Sequence, residues 1–485
     1  MSCRAWGGSR CICYVLAPAR GPRAQRGIPM SMVSASCVCL LLALALACAP
    51  ADGSETQTAA PLDDEAPAGA EGAGADASDA PMLGHWALTK GATTRADADP
   101  GAGADPGAGA GSGISREMLE AIGYTSGSEV AGATAGVTVY DETRAEPGFN
   151  LVLSGHATEV VLMDMAGRVV HRWRVDFDEA FPGNSIAPDL SQRFFWRRAR
   201  LLQGGELIVV WEGLGIARLD RDSNVVWGHL TTAHHDVDFD GDGALLALAR
   251  RVRLVPWIHP TERVLDDVVI VFAPDGSVRH EISIAKCLEN SSMQHVLEGW
   301  SPDQPTRADV FHTNTLQWLD GSLAHRSPVF ARGNLLISMR ELHLLAILDP
   351  EARRVVWSRS GSWRRQHEPV LLEGGTMLVF DNMGKPGRSS ILEIDPLTGA
   401  EAWRYQSETP GVFFSGICGS NQRLDNGNTL ITESTAGRAF EVTPAGEIVW
   451  EWISPYRAGE QREFVATLFE IVRVPHEAVE SWLGR

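Results

Sequence analysis

Short runs in which apolar and polar residues alternate fill the chain from residue 148 to residue 472, and turn residues separate them. One pair of runs recurs: an alternating apolar run, a polar turn and a second run that usually ends in Trp. Alternation with a period of two over so few residues predicts β-strands joined as hairpins. The six copies of this pair are 160–173, 216–227, 269–280, 345–357, 391–403 and 440–450, of which 269–280 ends in His instead of Trp.

A second hairpin pattern, built around a Gly-containing turn, precedes most of these copies and is clearest at 201–210, 370–380 and 424–432. Two hairpins per repeat make a four-stranded antiparallel sheet, and a period near 40–50 residues is typical of a propeller blade. We therefore predict an all-β, six-bladed β-propeller over 148–472. One Trp per blade would fill the space between neighbouring sheets. A β-sandwich, the alternative all-β fold, would not explain the repeated turn-and-Trp register.

The segment 466–474 carries one further apolar strand pattern after the sixth copy. We expect this strand to complete the first blade and so to close the ring. A short helix is expected to follow it within 473–485.

The N-terminal residues have a targeting composition. Arg20, Arg23 and Arg26 precede the apolar run 37–48, which is too short to span a bilayer comfortably but suits a signal peptide. The run ends in Ala-Leu-Ala before Cys48, which is similar to a bacterial lipobox, so we predict a lipoprotein-type signal over 1–48 with lipidation at Cys48. Ordinary cleavage after an Ala is the alternative. We expect an exported protein, periplasmic or lipid-anchored at the outer membrane of a bacterium.

The next segment, 49–113, is rich in Ala, Gly, Asp and Pro and has almost no large apolar side chains. Such a composition cannot compensate the entropy of ordering, so we predict a disordered tether. A short helix at 115–122 and a lead-in strand are expected within 114–147.

Charge and cysteine content exclude several classes of protein. The 485 residues include 42 Lys and Arg against 61 Asp and Glu, a formal net charge of −19. A general nucleic-acid or anionic-membrane binder would need a basic surface, so we expect neither partner, and membrane contact only through the lipid anchor. Downstream of Cys48 the sequence contains only Cys287 and Cys418. The fold is therefore not a disulfide scaffold, and whether these two residues pair stays open.

Three histidines occur at similar positions in successive repeats. His235, His312 and His367 precede a turn Gly by 6, 9 and 7 residues. Each is thus expected to open the first strand of its blade, and the first strands of a propeller line the central channel. The three side chains would converge at one mouth of that channel. Arg340 ends the following strand of the His312 blade and would reach the same mouth. His234 is the alternative to His235, which we prefer because it stands next to an acid, as His367 does.

This group of side chains suggests two chemistries. Three His can hold Zn²⁺, but no carboxylate pattern accompanies them and the nearby Arg340 would repel a cation, so we predict no metal. Imidazole and guanidinium donors instead suit an oxyanion such as sulfate or phosphate. Imidazole is also a nucleophile near neutral pH. Arg197 and Arg198 occupy the corresponding place on the second blade, either as an extension of the anion site or as a solvated basic pair.

Five segments occur in a fixed order on the repeats: His-His-Asp at 234–236, Phe-His-Thr-Asn at 311–314, Leu-Ile-Ser-Met-Arg at 336–340, Gln-His-Glu at 366–368 and Val-Phe-Asp-Asn-Met-Gly at 379–384. This ordered set resembles the bacterial arylsulfotransferase family over about 148–454. The resemblance implies an exported six-bladed propeller that transfers a sulfuryl group from an aryl sulfate ester to a phenol. It implies no cofactor and no nucleotide sulfate donor.

The resemblance also implies residue roles. His367 would be the nucleophile that becomes transiently sulfated, while His235, His312 and Arg340 would hold the sulfuryl oxygens. One of those two histidines would also exchange the proton of the phenol. Glu368 stands where the family has Asp after the third His, and it would orient the His367 ring. No separate N-terminal β-sandwich domain is visible.

Two other functions stay open at this stage. One is a non-catalytic exported propeller that acts as a binding or scaffold protein and holds an anionic ligand at the same mouth. The other is a quinone-dependent dehydrogenase, because 394–403 resembles a blade-docking repeat of those enzymes.

Overall fold

The structure, a computed structural model, describes residues 129–297, 308–459 and 461–484. The signal peptide, the tether, Cys48 and the helix expected at 115–122 all lie outside the described residues.

Short antiparallel strands dominate the described chain. In chain order they are β1 Gly136–Tyr140, β2 Phe149–Ser154, β3 Glu159–Met163, β4 Val169–Arg174, β5 Arg198–Leu201, β6 Leu207–Trp211, β7 Gly215–Leu219, β8 Val225–Leu230, β9 Ala233–Phe239, β10 Leu245–Leu254, β11 Arg263–Phe272, β12 Val278–Ser283, β13 Thr313–Trp318 and β14 Leu335–Met339. The series continues with β15 Leu344–Asp349, β16 Arg354–Ser360, β17 His367–Leu371, β18 Met377–Lys385, β19 Arg388–Ile394, β20 Glu401–Gln406, β21 Ser420–Arg423, β22 Thr429–Glu433, β23 Arg438–Val442, β24 Ile448–Ile453, β25 Arg457–Ala458, β26 Phe464–Val465 and β27 Leu468–Val474.

Helices are few and short in the described ranges. The α-helices are α1 Phe177–Ala180, α2 Ile284–Asn290 and α3 His476–Leu483, and single 3₁₀ turns occupy Ser191–Phe194, Gln203–Gly205, Gln294–Leu297 and Pro328–Phe330. None of the helices in this part of the chain has the length and apolar character needed to cross a bilayer. The helix α3 lies in the segment where a C-terminal helix was expected.

The strands form six antiparallel sheets of four, each of which is one blade. Blade 1 has the order β27-β2-β3-β4, and blades 2 to 6 are β5–β8, β9–β12, β13–β16, β17–β20 and β21–β24, with β1 added at the outer edge of blade 6. The first strand of each blade is innermost: β9 contacts β5 and β13, β17 contacts β13 and β21, and β21 contacts β27. The predicted six-bladed propeller is confirmed.

The last strand of the chain closes the ring. β27 pairs with β2 in antiparallel register from Phe149 opposite Val474 to Ser154 opposite Leu468. Blade 1 therefore combines both ends of the propeller, as expected from the apolar pattern of 466–474. Closure of this kind leaves no gap in the ring at which sheets could pair with another chain.

Six separate apolar cores lie between neighbouring blades. For example, Ile208 and Val210 of blade 2 pack with Ala247 and Phe272 of blade 3, and the other five cores join the remaining neighbours in the same way. The middle strands are thus buried on both faces, and β6 has no exposed residue. This explains why the middle strands contain nearly continuous apolar runs.

The repeated Trp occupies the outermost strand of its blade and docks onto a turn of the next blade. Trp173 and Trp450 are fully buried, whereas Trp403 is half-buried. The indole N–H groups of Trp173, Trp403 and Trp450 donate to the carbonyl oxygens of Gly205, Pro444 and Met165 at 2.8, 2.8 and 2.9 Å. The ring therefore fills space between blades, as predicted, and also bonds to the neighbouring backbone.

Candidate active site

The three sequence-predicted histidines lie at the start of the inner strands of blades 3, 4 and 5. His367 is the first residue of β17, His312 directly precedes β13, and His235 is the third residue of β9. Only His367 therefore opens its strand as expected. Because the inner strands run in the same direction along the channel, all three side chains come to one mouth.

Unusual backbone conformations accompany the site. His235, His312 and Glu368 have φ values of +52°, +47° and +46°, in the left-handed region that non-glycine residues seldom adopt. Local bulges interrupt the pairing of the inner strands at the same points. Strain of this kind concentrates at functional sites, where the surrounding structure holds it in place.

Two of the predicted histidines lie side by side. The imidazole rings of His235 and His312 lie edge to face, with centroids 4.8 Å apart. All three histidines are at least 98% buried. Burial lowers the pKa of His367 well below its ordinary value, and the nearby charges of Arg340, Arg197 and His312 lower it further. The imidazole of His367 is therefore neutral at neutral pH.

Asn382 holds the ring of His367, a role that sequence reasoning assigned to Glu368. His367 Nδ1 lies 2.7 Å from Asn382 Oδ1, and the Asn382 amide donates to the carbonyls of Ser415 and Cys418 at 2.8 and 2.6 Å. Since the amide N–H groups are already used, Oδ1 must accept, so the proton of the neutral ring sits on Nδ1. His367 Nε2 then carries the lone pair, and it is buried without a hydrogen-bond partner among the described residues.

The expectation that Glu368 orients His367 is wrong, because its carboxylate Oε2 accepts instead from Arg198 at 2.9 Å. Asn382 belongs to the 379–384 segment that carries the resemblance. Its contact with His367 spans the β17–β18 hairpin across a bulge, and the linear sequence could not reveal it.

His312 has a carboxylate partner that sequence analysis missed. His312 Nδ1 lies 2.5 Å from Oδ2 of Asp309, three residues earlier and also buried. Burial and the charge of Arg340 lower the pKa of His312, whereas Asp309 raises it. Although burial alone would raise the pKa of Asp309, His312 and Arg250 hold it well below its usual range. The pair has the geometry of a histidine oriented by a carboxylate, with the Nε2 edge left for chemistry.

Arg340 directly follows β14, and its backbone N–H donates to the carbonyl of His312 at 3.2 Å. Its guanidinium donates twice to Glu341 Oε1, at 2.9 and 2.6 Å. The same guanidinium is close enough to lower the pKa of both His312 and His367. Arg340 thus lies beside His312 through its backbone, with part of its charge offset by Glu341.

His235 rather than His234 faces the other site residues, since its ring meets His312. Its Nδ1 lies 2.9 Å from His234 Nδ1 and 3.3 Å from Glu212 Oε1, a carboxylate from blade 2. Burial lowers the pKa of His235 well below its ordinary value, and Arg197 lowers it further. The acid beside His235 in sequence, Asp236, pairs with Arg198 at 3.1 Å.

A buried arginine connects the carboxylates behind the histidines. Arg250 is fully buried and lies 3.4 Å from Glu212, 3.5 Å from Asp267 and 3.7 Å from Asp309. Two of these acids contact His235 and His312, and Asp267 lies 3.4 Å from His234 Nε2. His235 and His312 therefore rest on one shared ionic network.

One group of side chains has metal-like spacing. The possible ligand atoms of Glu212, His234 and His235 lie within 4.8 Å of one another. This carboxylate was not visible in the sequence pattern. The Arg250 guanidinium, 3.4 Å from Glu212, opposes a cation at this place, so the donor set does not favour a metal.

A second charged layer lies next to the histidines and fills the channel. Arg198 pairs with Asp236, Glu368 and Glu470 at 3.1, 2.9 and 2.6 Å, and so joins blades 2, 3, 5 and 1. Arg197 and Arg198 are only 3% and 2% exposed, so the interpretation as a solvated basic pair is wrong. We call the Arg198 layer the channel floor, because it closes the site on that side.

Comparison with known proteins gives a family and a set of structural neighbours. The family model of the arylsulfotransferases (ASST) matches residues 198–456. No curated protein matches the chain. A protein of unknown function from Bacteroides caccae is 12% identical with a TM-score of 0.43, covering 67% of this chain and 98% of that one. A streptogramin B lyase is 13% identical with a TM-score of 0.38 (70% and 87% covered), and BamB from Moraxella catarrhalis is 11% identical with a TM-score of 0.30 (66% and 77% covered).

Proposed function

Because the chain belongs to the arylsulfotransferase (ASST) family, and is thus an arylsulfotransferase-like enzyme with an aryl sulfate donor and a phenol acceptor, we propose that it works through a sulfohistidine intermediate on His367. No nucleotide sulfate donor takes part. The sulfuryl group moves from the aryl ester to His367 and then to the phenolic acceptor.

The state of His367 Nε2 supports this proposal most directly. The nitrogen is buried, has no hydrogen-bond partner among the described residues, and carries a lone pair because Asn382 holds the proton on Nδ1. In the first step this lone pair attacks sulfur, the N–S bond forms, and the ester S–O bond breaks to release a phenolate. In the second step the acceptor phenol loses its proton, its oxygen attacks sulfur, and the N–S bond breaks. The covalent intermediate divides one difficult displacement into two easier ones.

Three neighbouring side chains suit the charge that develops on the sulfuryl oxygens. Arg340, His235 and His312 stand around the same mouth as His367, and fixed donors in a water-poor site stabilise such charge strongly. The Asp309–His312 pair suits proton exchange. Although burial lowers the pKa of His312, the negative charge of the bound ester would raise it again, and the imidazolium could then protonate the departing phenolate. The resulting neutral ring would accept the proton of the incoming phenol.

The intermediate can be tested by the intact mass of the protein after brief exposure to 4-nitrophenyl sulfate without acceptor. We expect the wild type to gain the mass of one sulfuryl group and to lose it at low pH, because an N–S bond of this type is acid-labile. His367→Asn should gain none, whereas His325→Asn, an exposed histidine on the β13–β14 connection, should behave as wild type. If folded wild-type protein gives neither an adduct nor nitrophenolate with a panel of phenols, the proposal fails and a non-catalytic anion-binding propeller becomes the better interpretation.

A further inference from the structure

On blade 2 an arginine stands as many residues before the end of the inner strand as the histidines do on blades 3 and 5. The residues four positions before the last residue of β5, β9 and β17 are Arg197, His235 and His367. Next to the turn all three strands pair regularly with their second strands; a bulge interrupts the pairing near His235 and His367, whereas β5 pairs without interruption up to Arg198. Arg197 is thus the blade 2 counterpart of two proposed site residues.

Arg197 is buried where blade 1 meets blade 2. Its side chain is 3% exposed, and its guanidinium lies 5.1 Å from the centroid of the Phe469 ring, which comes from blade 1. The backbone N–H donates to the carbonyl of Val210 at 2.7 Å, which holds the residue against β6. Its positive charge lowers the pKa of both His235 and His367.

We propose that Arg197 is a second sulfuryl-binding arginine, which approaches the transferring group from blade 2 while Arg340 approaches it from blade 4. The inference rests on the proposed function and names a further residue of the same site. It assigns to Arg197 a direct contact with the sulfuryl oxygens of the aryl sulfate.

The charge balance of the site gives the physical reason. His235 and His367 are neutral because burial lowers the pKa of both well below its ordinary value, so these two rings offer dipoles but no full positive charge. Arg340 gives two of its hydrogen bonds to Glu341, which offsets part of its charge. A sulfate ester brings a full negative charge into this buried place, and a buried anion is stable only beside a cation. A second guanidinium supplies that cation.

The next residue along the strand cannot serve in the same way. Arg198 is bound to three carboxylates of the channel floor, at 2.6 to 3.1 Å, so its charge is already neutralised. Arg198 thus holds blades together through the channel floor.

Three variants test the proposal: Arg197→Met, Arg197→Lys and, as a matched control, Arg193→Met. Arg193 is also buried and also lies over a phenylalanine ring, at 4.6 Å from Phe177, but it pairs with Asp178 away from the histidines. We expect Arg197→Met to lower kcat/KM for 4-nitrophenyl sulfate about 10²- to 10³-fold, the usual loss when one donor to a developing oxyanion is removed. Arg197→Lys should lose less, and Arg193→Met should keep the wild-type rate.

Two further measurements separate contact with the sulfuryl group from mere packing. Calorimetric titration with inorganic sulfate should show at least tenfold weaker binding to Arg197→Met than to the wild type. Because the Arg197 charge lowers the pKa of His235 and His367, its removal raises these pKa values, so the acid limb of the kcat/KM profile should move to higher pH. A structural role would leave both the relative sulfate affinity and the acid limb unchanged.

Folded Arg197→Met with wild-type rates, wild-type sulfate affinity and an unmoved acid limb would overturn the proposal. If Arg197→Met does not fold, Arg197→Lys decides: a roughly tenfold loss of kcat/KM at unchanged thermal stability supports the contact, and a wild-type rate refutes it. If the wild type itself forms no sulfuryl adduct, the proposed function fails, but sulfate titration of the same variants still tests the Arg197 site.

Discussion

At the residue scale, the partner of each histidine determines what its ring can do. The amide of Asn382 can only accept from His367 Nδ1, because its own N–H groups bond to two carbonyls, and this leaves the lone pair on Nε2. The carboxylate of Asp309 instead favours a charged ring at His312. Two histidines in one buried site thus acquire different chemistry from an amide and an acid.

Asp309→Asn tests the proton-transfer role of His312. The Asp309 carboxylate raises the pKa of His312, so its loss lowers that pKa and leaves less imidazolium to protonate the leaving group. We expect kcat/KM to fall about 10²-fold or more for phenyl sulfate, whose phenolate leaves poorly, and much less for 4-nitrophenyl sulfate. Steady-state rates with both donors measure the difference.

Asp320→Asn is the control for this prediction, since Asp320 only caps a surface turn by accepting from the Ser322 N–H at 2.8 Å. Equal losses with the two donors in Asp309→Asn would contradict a role in protonating the leaving group.

At the element scale, each blade is joined to the next by an apolar core, and most blades add a Trp on their fourth strand. The indole of Trp173 is fully buried and donates to the Gly205 carbonyl at 2.8 Å, in the first turn of blade 2. Trp403 makes an equivalent bond to Pro444 at 2.8 Å, but it is half-buried. Burial thus distinguishes two contacts that have the same sequence signature.

Trp173→Phe should destabilise the protein more than Trp403→Phe. Removing the buried indole N–H leaves the Gly205 carbonyl without its partner in an apolar place, at a cost of about 1–3 kcal/mol in the free energy of unfolding. Water can replace the lost donor at the half-buried Trp403 site, so that cost should be smaller. Denaturant melts of both variants test this, and an equal or reversed order would contradict the explanation.

At the scale of the whole molecule, ring closure brings charged residues from distant parts of the chain into one buried channel. The channel floor holds Asp236, Glu368 and Glu470 around Arg198 and Arg200. Burial raises the pKa of Glu368 to about 7. The negative charges of Asp236 and Glu470 raise this pKa further, whereas the positive charge of Arg198 lowers it. The channel floor contains three carboxyl groups and two guanidinium groups. One carboxyl group therefore tends to keep its proton, because this makes the total charge of the floor zero.

The stability of the ring should therefore depend on pH, and Asp238 offers the simplest test. Burial raises the pKa of Asp238 to about 7, although its Oδ2 accepts a hydrogen bond at 2.7 Å from the backbone N–H of Trp318 in blade 4. An unfolded Asp titrates near pH 4, so between about pH 4 and 7 the folded state binds the extra proton. The contribution of Asp238 to stability is thus present at low pH and is lost as pH rises through 7.

Asp238→Asn keeps an oxygen acceptor for Trp318 but cannot ionise. We expect its Tm to exceed that of the wild type by more at pH 8.5 than at pH 5.5, as measured by thermal melts at both values. A Tm difference that does not change with pH would contradict the raised pKa.

Much of the fold was predictable because its signals are local. Alternation with a period of two and Gly-containing turns determine where strands begin and end, and six copies of the pattern determine the number of blades. The strand at 466–474 was also recognisable as a supernumerary strand. The middle strands, by contrast, show little polar alternation because apolar cores cover both of their faces, as in β6.

The site was predictable only in part. His235, His312 and His367 stood out because they recur at similar distances from a turn, and a propeller brings such positions to one mouth. Arg340 stood out because it ends the following strand of the His312 blade. Their partners were not predictable, and Glu368 was assigned the role that Asn382 has.

The sequence by itself thus determined the strands, their number and the residues that reach the channel mouth, because each of these depends on a repeated local pattern. The tertiary structure alone decided which acid, amide or guanidinium each of these residues contacts. Arg198 and Glu470 are 272 positions apart and meet only because β27 closes blade 1. Contacts across the channel depend on which blades face one another, and that follows from closure of the whole ring.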